Sequence, residues 1–317
     1  MAIKHAQGSV RAEGGELRAI LLCGGYGEGL RPLTNSRPKA LIPLVGRNIV
    51  EWTMDSLPQE VEEVILSVGP FGDMFFQEFE NYVEKDVLIV REEYPLGTAG
   101  AVRNSTKLLK DGTFMVLSGD LICEMDLSKL LDFHWSNEFS ITAALSIEGK
   151  DTFKFKLDED GRISEISEAN GFFPVGAFVF EPEVLDILPR IGSLESDVFP
   201  ILIRTGELGG LLLSGKYIRI KGLNDYLEAQ EHLLNSMGLE SLIEKDVSIG
   251  KDVEITGSYI AEGCEISSNT SIEKSALLGF CKIGEKSSIS KSIIGEGSVL
   301  PPGSRVFNRI IREESRA

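Results

Sequence analysis

At 317 residues with 42% apolar content, the chain is long enough for one large α/β domain plus a smaller appendage, each with its own core. A net charge of −17 excludes a broad basic surface for nucleic acid or an anionic membrane, and leaves small anionic ligands held by local loops. No apolar run reaches the roughly 20 residues of a bilayer crossing and no apolar h-region opens the chain, so a cytoplasmic protein is expected.

Residues 1–16 read as a flexible polar leader. Cys23, Cys123, Cys264 and Cys281 have no C-x-x-C spacing and read as reduced structural thiols rather than a zinc site. The stretch over 17–43 organises the rest. Ala19-Ile20-Leu21-Leu22-Cys23 is an uninterrupted apolar run, as in a parallel strand covered on both faces. Gly24, Gly25, Gly27 and Gly29 then remove side chains where the backbone turns tightly, so that its N–H groups can point at an anion. A phosphate-bearing ligand is the expected occupant; a flexible strand-to-helix turn is the plainer reading of such a loop.

Apolar spacing predicts a helix over 48–57, a strand over 61–68, a helix over 74–84, a strand over 86–91, a helix over 99–110 and a strand over 114–118 that ends at Gly119-Asp120. Further strands are expected over 141–147, 154–157, 163–166, 175–180 and 217–220, with a helix over 193–208. This alternation predicts an α/β domain over 17–240: a Rossmann-like, doubly wound mixed sheet whose ligands gather at the carboxyl ends of the strands. Gly24-Gly25 and Asp120 both fall at such ends.

Over 245–311 the texture changes to short units such as Val247-Ser248-Ile249-Gly250 and Lys282-Ile283-Gly284, with an apolar residue at roughly six-residue steps. That is the pattern of a short left-handed parallel β-helix built from hexapeptide repeats. Longer β-helices of this type can be acyltransferases with a histidine base between coils. His5, His134 and His232 all lie outside the repeats, so an assembly or regulatory module is expected here.

Gly24-Gly25-Tyr26-Gly27, then Leu30-Arg31-Pro32-Leu33-Thr34 and Pro38-Lys39-Ala40-Leu41, resembles the signature loop of the sugar-phosphate nucleotidyltransferases, the NDP-sugar pyrophosphorylases. Its family form is roughly G-G-x-G-T-R-L-x-P-L-T followed by P-K, and many members carry a hexapeptide tail. The resemblance implies attack of a sugar-1-phosphate on the α-phosphate of an NTP, with pyrophosphate leaving. The protein's share of such a reaction is positioning and charge neutralisation. On that resemblance Lys39 is the loop lysine, Asp120 the first of two Mg²⁺ aspartates, and Leu22, Gly24, Gly25, Gly97, Thr98, Gly119 and Asp120 border the nucleotide. Glu168 and Gly176 fall where the family contacts the sugar. Each has a plainer reading: a surface lysine, a strand-end cap, a helix entry over 96–101, an exposed acid, a packing glycine.

Three departures are chemically distinct. Gly29 stands where the family has its catalytic Arg, Ala169 where it has the Lys of E-K-P, and Arg219 where it has the second metal Asp of W-x-D-I-G. Glu28 also replaces the loop Thr. Each lost transition-state charge costs on the order of 10²–10³ in rate. Arg219 and, less directly, Arg31 are then candidates to clamp phosphates. The expected protein binds a nucleotide or NDP-sugar, is catalytically impaired and regulatory, and needs no cofactor. It is a homo-oligomer, or a hetero-oligomer with a catalytic paralogue through the β-helix. Such non-catalytic members exist in the family, among them a partner of mannose-1-phosphate guanylyltransferase. The alternative is an active transferase using Mg²⁺. Pro95-Leu96-Gly97-Thr98-Ala99-Gly100 leans towards the guanylyltransferase branch, and Glu92-Glu93-Tyr94 puts carboxylates where some relatives use Gln against a pyrimidine.

Overall fold

A computed structural model describes residues 17–109 and 112–312; the expected leader over 1–16 and Lys110, at the end of one expected helix, lie outside them. The main sheet has seven strands. In chain order they are β1 (Leu17–Cys23), β2 (Val61–Val68), β3 (Asp86–Arg91), β4 (Phe114–Ser118), β5 (Ile141–Ser146), β6 (Phe173–Phe180) and β7 (Leu208–Leu212). Across the sheet they run β7-β5-β6-β4-β1-β2-β3. β1 pairs in parallel with β2 and β4, whereas β6 is antiparallel to both β4 and β5, which makes the sheet mixed. Central strands with apolar cores on both faces explain the unbroken runs: Ala19, Leu21, Val64, Leu66 and Met115 pack into one core, and Ile20, Ile65, Val116 and Phe180 into the other.

Helices cover the sheet much as expected, with shorter limits: α1 (Ile49–Asp55), α2 (Gly72–Phe79) and α3 (Gly97–Ser105). The expected helix over 193–208 is a correction. A wide turn over Leu194–Val198 leads into α5 (Phe199–Thr205), following the unforeseen α4 (Ser128–Trp135), and the chain then returns as β7. Pro200 is tolerated only in the first turn, and Gly206 at φ +75° ends the helix in the left-handed cap.

Behind the carboxyl ends lies a two-stranded ribbon: β8 (Leu121–Cys123) pairs antiparallel with β9 (Tyr217–Arg219), which opposes Arg219 to Leu121. The helix that follows, α6 (Leu223–Ser236), leads into three stacks of short parallel strands that form the β-helix. Its coils repeat every 17 residues, and a serine ladder fixes the register: Ser275 N–H donates to Ser258 Oγ and Ser292 N–H to Ser275 Oγ, each at 3.1 Å. These serines are buried, and each hydroxyl donates in turn to a carbonyl two residues back, so no polar atom of the corner is stranded.

The β-helix is docked on the first domain, not strung behind it. One core joins Leu30, Leu33 and Ile42 beyond the glycine loop to Tyr226 of α6 and to Tyr259, Ala276 and Ile293 of the coils. Gln230 Nε2 donates to the carbonyls of Gly257 and Ser275 at 3.0 and 3.1 Å, and Arg37 pairs with Glu296 at 2.8 Å. The glycine loop is pinned as well. Gly29 bridges Gly222 backbone to backbone, and a Cβ at Gly29 would come 2.1 Å from the Lys221 carbonyl oxygen. A backbone oxygen cannot swing aside as a side-chain tip can, so Gly29→Ala is expected to cost about 1–3 kcal/mol of stability. A thermal melt of that variant checks it, and an unchanged Tm would refute the contact.

Candidate functional site

The site is built where β1 and β4 end side by side. Leu22 opposes Ser118 in the parallel register, and Gly119 N–H donates to the Leu22 carbonyl at 3.1 Å. Gly119 needs to be glycine, because a Cβ there would lie 2.4 Å from Cys23 Sγ. Gly24 faces the same restriction from Glu92, whose Oε1 would meet an added Cβ at 2.6 Å. The Glu92 carboxylate is buried, accepts from Ser67 Oγ at 3.1 Å and from Leu96 N–H at 3.2 Å, and is pushed above the usual carboxylate range by burial, which those two donors only partly offset.

Asp120 follows at the β4–β8 junction and is the centre of a chain of charges. Its Oδ2 accepts from Lys39 Nζ, while its Oδ1 faces Arg219 Nε at 3.9 Å. Arg219 Nη1 lies 3.6 Å from Asp151 Oδ1, to which Lys221 Nζ is bonded at 2.5 Å. Burial raises the cost of charging Asp120, yet the Lys39 ammonium and the Arg219 guanidinium outweigh it and hold the carboxyl below its ordinary value. The gap of 3.9 Å is too long for a hydrogen bond, and both Asp120 Oδ1 and Arg219 Nε are buried without a hydrogen-bond partner among the described residues. Gly176, at φ +93° on β6, passes beside them: a Cβ there would lie 3.2 Å from Arg219 Cδ and Nε.

These residues do not fit the Mg²⁺ that the family resemblance implies. Such an ion needs several oxygen ligands free of competing cations. Here Lys39 occupies one oxygen of Asp120 and a guanidinium stands beside the other. Among the described residues no group of three or more His, Cys, Asp or Glu is placed to hold a metal ion. The structure therefore brings Lys39, Asp120, Gly176 and Arg219 together, with Leu22, Gly24 and Gly119 alongside.

Other sequence-derived candidates lie elsewhere. Gly97, at φ +73°, opens α3, where a Cβ would lie 2.3 Å from the Gly192 carbonyl oxygen. Thr98 accepts from Leu194 N–H at 2.8 Å and donates to Glu195 at 3.2 Å, so its hydroxyl is engaged by that segment. Gly25 is exposed at the loop tip; Arg31 is exposed too and leans on Glu28 of the same loop at 3.9 Å. Glu168 is exposed just past the strand Ile163–Ser167. At Ala169 the carbonyl accepts from Lys154 Nζ at 3.1 Å, so an ammonium reaches the backbone of the residue that lacks one. A cavity of about 460 Å³ opens behind Arg219, lined also by Ser146, Lys150, Asp151, Tyr217 and Lys221.

Sequence reasoning missed Asp151, Lys154 and the partner role of Lys221. Lys221 sits two residues after Arg219, on the same face of an extended segment, and that period of two was a readable signal. Asp151 and Lys154 meet their partners only through long-range pairing, for which nothing local gives a sign.

The profile of the nucleotidyl transferase family matches residues 18–208, and that of the GlmU-like C-terminal hexapeptide matches residues 227–311. A mannose-1-phosphate guanylyltransferase of Mycobacterium tuberculosis is 30% identical over 288 residues, spanning 83% of this chain and 80% of that one. Mannose-1-phosphate guanylyltransferase 1 of Arabidopsis thaliana is 28% identical, spanning 94% and 91%. Among solved structures, HddC from Yersinia pseudotuberculosis complexed with GMP-PN superposes with a TM-score of 0.59 at 25% identity, covering 68% of this chain and 99% of that one. With the glycine loop, the Lys39–Asp120 pair and strands β2 to β6 of the mixed sheet inside the matched span, the chain belongs to the nucleotidyl transferase family and carries a GlmU-like hexapeptide domain behind it.

Proposed function

We propose that this protein binds a nucleoside diphosphate or NDP-sugar and transfers a nucleotidyl group feebly if at all, serving as a regulatory subunit. One observation carries the reading: the Asp120 carboxylate is held between Lys39 and Arg219, with a guanidinium where the family's second carboxylate belongs. Catalysis needs interactions stronger in the transition state than in the ground state. A carboxylate already occupied by fixed cations holds no divalent ion to follow the charge of the transferring phosphate. The loop cation is also gone, and Gly29 leaves no space for one against Lys221.

The base favoured is guanine. Glu92 presents a buried carboxylate next to Gly24, with lone pairs left after Ser67 and Leu96 are served. The adjacent N1–H and N2–H₂ donors of guanine match two carboxylate oxygens, whereas uracil and thymine offer a single donor beside acceptors. Relatives named as guanylyltransferases support the same base. Another relative is named a catalytic subunit beta, which supports assembly with a catalytic paralogue, for which the docked β-helix is the natural surface.

Two measurements test this reading. Pyrophosphate release with Mg²⁺, each common NTP and a panel of sugar-1-phosphates is expected to fall below about 1 s⁻¹, the lower edge of ordinary enzyme turnover. An Ala169→Lys, Arg219→Asp double variant, with Gly29 left in place, is expected to release pyrophosphate faster than the wild type. Ordinary turnover by the wild type would establish instead an active transferase. Glu92→Gln is expected to weaken GDP binding by about tenfold, one charge-assisted hydrogen bond, while raising Tm at neutral pH because the charged side chain no longer has to be buried. The sign follows from the raised pKa: folding disfavours the carboxylate, so the penalty grows as pH rises through that value and the amide escapes it. GDP affinity unchanged in Glu92→Gln would remove the base assignment.

A further inference from the structure

We propose that Arg219 stands in for the metal ion: its guanidinium, with Lys39, receives the diphosphate of the bound nucleotide, so that binding requires no divalent cation. The proposal rests on the nucleotide-binding reading above and adds what neutralises the ligand.

Charge counting at the site leads there first. Lys39, Asp120 and Arg219 sum to one positive charge, and Lys221 with Asp151 cancel. An aspartate at position 219 would make the same trio one negative. The exchange therefore changes the site by two positive charges, which is what a divalent cation contributes. An acidic trio must recruit a cation before a diphosphate can approach; this one is already complementary.

Geometry leads to the same place. Arg219 Nε is buried with no hydrogen-bond partner among the described residues, and Nη1 lies 3.6 Å from Asp151, beyond hydrogen-bond reach. A guanidinium carries five donors in a planar fork, and none of these contacts is close enough to use them well. The Asp120 and Asp151 carboxylates thus hold the guanidinium in place electrostatically, at 3.9 and 3.6 Å, without engaging it in a hydrogen bond. The side chain keeps a quarter of its surface exposed. Gly176 contributes the room, since a side chain there would crowd Cδ and Nε from the opposite side. Phosphate is the acceptor that suits this arrangement, because a guanidinium binds two phosphate oxygens in parallel.

Calorimetric titration of the full-length protein with ADP, CDP, GDP and UDP, in EDTA and in excess Mg²⁺, tests the proposal. The wild type is expected to bind its preferred diphosphate, GDP on the reading above, with the same Kd in both buffers to within about twofold. Arg219→Gln is expected to weaken binding by about tenfold to a hundredfold in both buffers, the worth of a charge-assisted pair. Arg219→Asp is expected to bind poorly in EDTA and to recover in Mg²⁺, since it restores the acidic pair. Wild-type binding that requires Mg²⁺, or Arg219→Gln binding like the wild type, overturns the proposal and leaves nucleotide binding standing. Absence of binding to any of the four in either buffer overturns both. Should a variant fail to fold, as its melting curve would reveal, the wild-type comparison between buffers decides alone.

Discussion

A buried carboxylate must be paired, and at Asp120 that requirement draws three separate parts of the chain to one point. Asp120 is only 7% exposed, and leaving it ionised without partners would cost several kcal/mol. Lys39 arrives from beyond the glycine loop, Arg219 from a ribbon strand about a hundred residues later in sequence, and Gly176 from the antiparallel strand that lets the ribbon approach. Buried apolar neighbours anchor each segment: Ala40 and Leu41 beside Lys39, Val175 and Ala177 beside Gly176, and Ile218 and Ile220 beside Arg219. The loop is held by the Gly29–Gly222 bridge and by Leu30 and Leu33 in the core shared with α6 and the coils. The ion pairs specify the register of pieces whose burial energy comes from these apolar neighbours.

That separation between what stabilises and what specifies explains how much could be read from the sequence. Strands β1, β2 and β4 were legible because burial on both faces leaves an unbroken apolar run, and the glycine loop because a strand ending in Gly24-Gly25 has few structural alternatives. The coils were legible because a repeat advertises itself, although the serine ladder behind the 17-residue period was not: Ser258, Ser275 and Ser292 look like any surface serine until the stacking is known. β7 was hidden because Gly209 and Gly210 argue against a strand, and a Cβ at Gly209 would in fact collide with the Phe139 ring at 2.3 Å. Helix α6 was hidden for a different reason. Its buried face carries Tyr226, Ala229, Gln230, Leu233 and Leu234, and the polar Gln230 that interrupts the apolar stripe is satisfied by two β-helix carbonyls that accept from its amide.

Chemistry was legible where it is local and hidden where it is long-range. The identity of Arg219 could be read in the chain, and its opposition to a metal with it. What the sequence lacks is any sign that Asp151 and Lys221 pair at 2.5 Å beside it, leaving Arg219 to share Asp120 with Lys39. Lys154 is the same kind of case: its strand pairs Lys154 with Ser167, which carries the ammonium to the carbonyl of Ala169. A substitution that removes a charge at one position and a lysine that supplies one from the facing strand are invisible to each other in a linear reading.

The difference between a guanidinium and a metal ion also bears on what the site can do after it has bound something. A metal exchanges its water ligands for phosphate oxygens and can follow charge as it moves from one phosphate to the next during transfer. A guanidinium on β9, facing Asp120 and beside Gly176, keeps one position and one orientation. On the reading proposed above it holds a ground-state diphosphate, and uniform binding of that kind lowers a dissociation constant without accelerating a chemical step. Arg219 lies three residues before the cap of α6: Arg219-Ile220-Lys221-Gly222 leads directly into the helix whose Gln230 reaches the coils. Arg219 is therefore continuous in sequence with the helix that carries Gln230 to the coils.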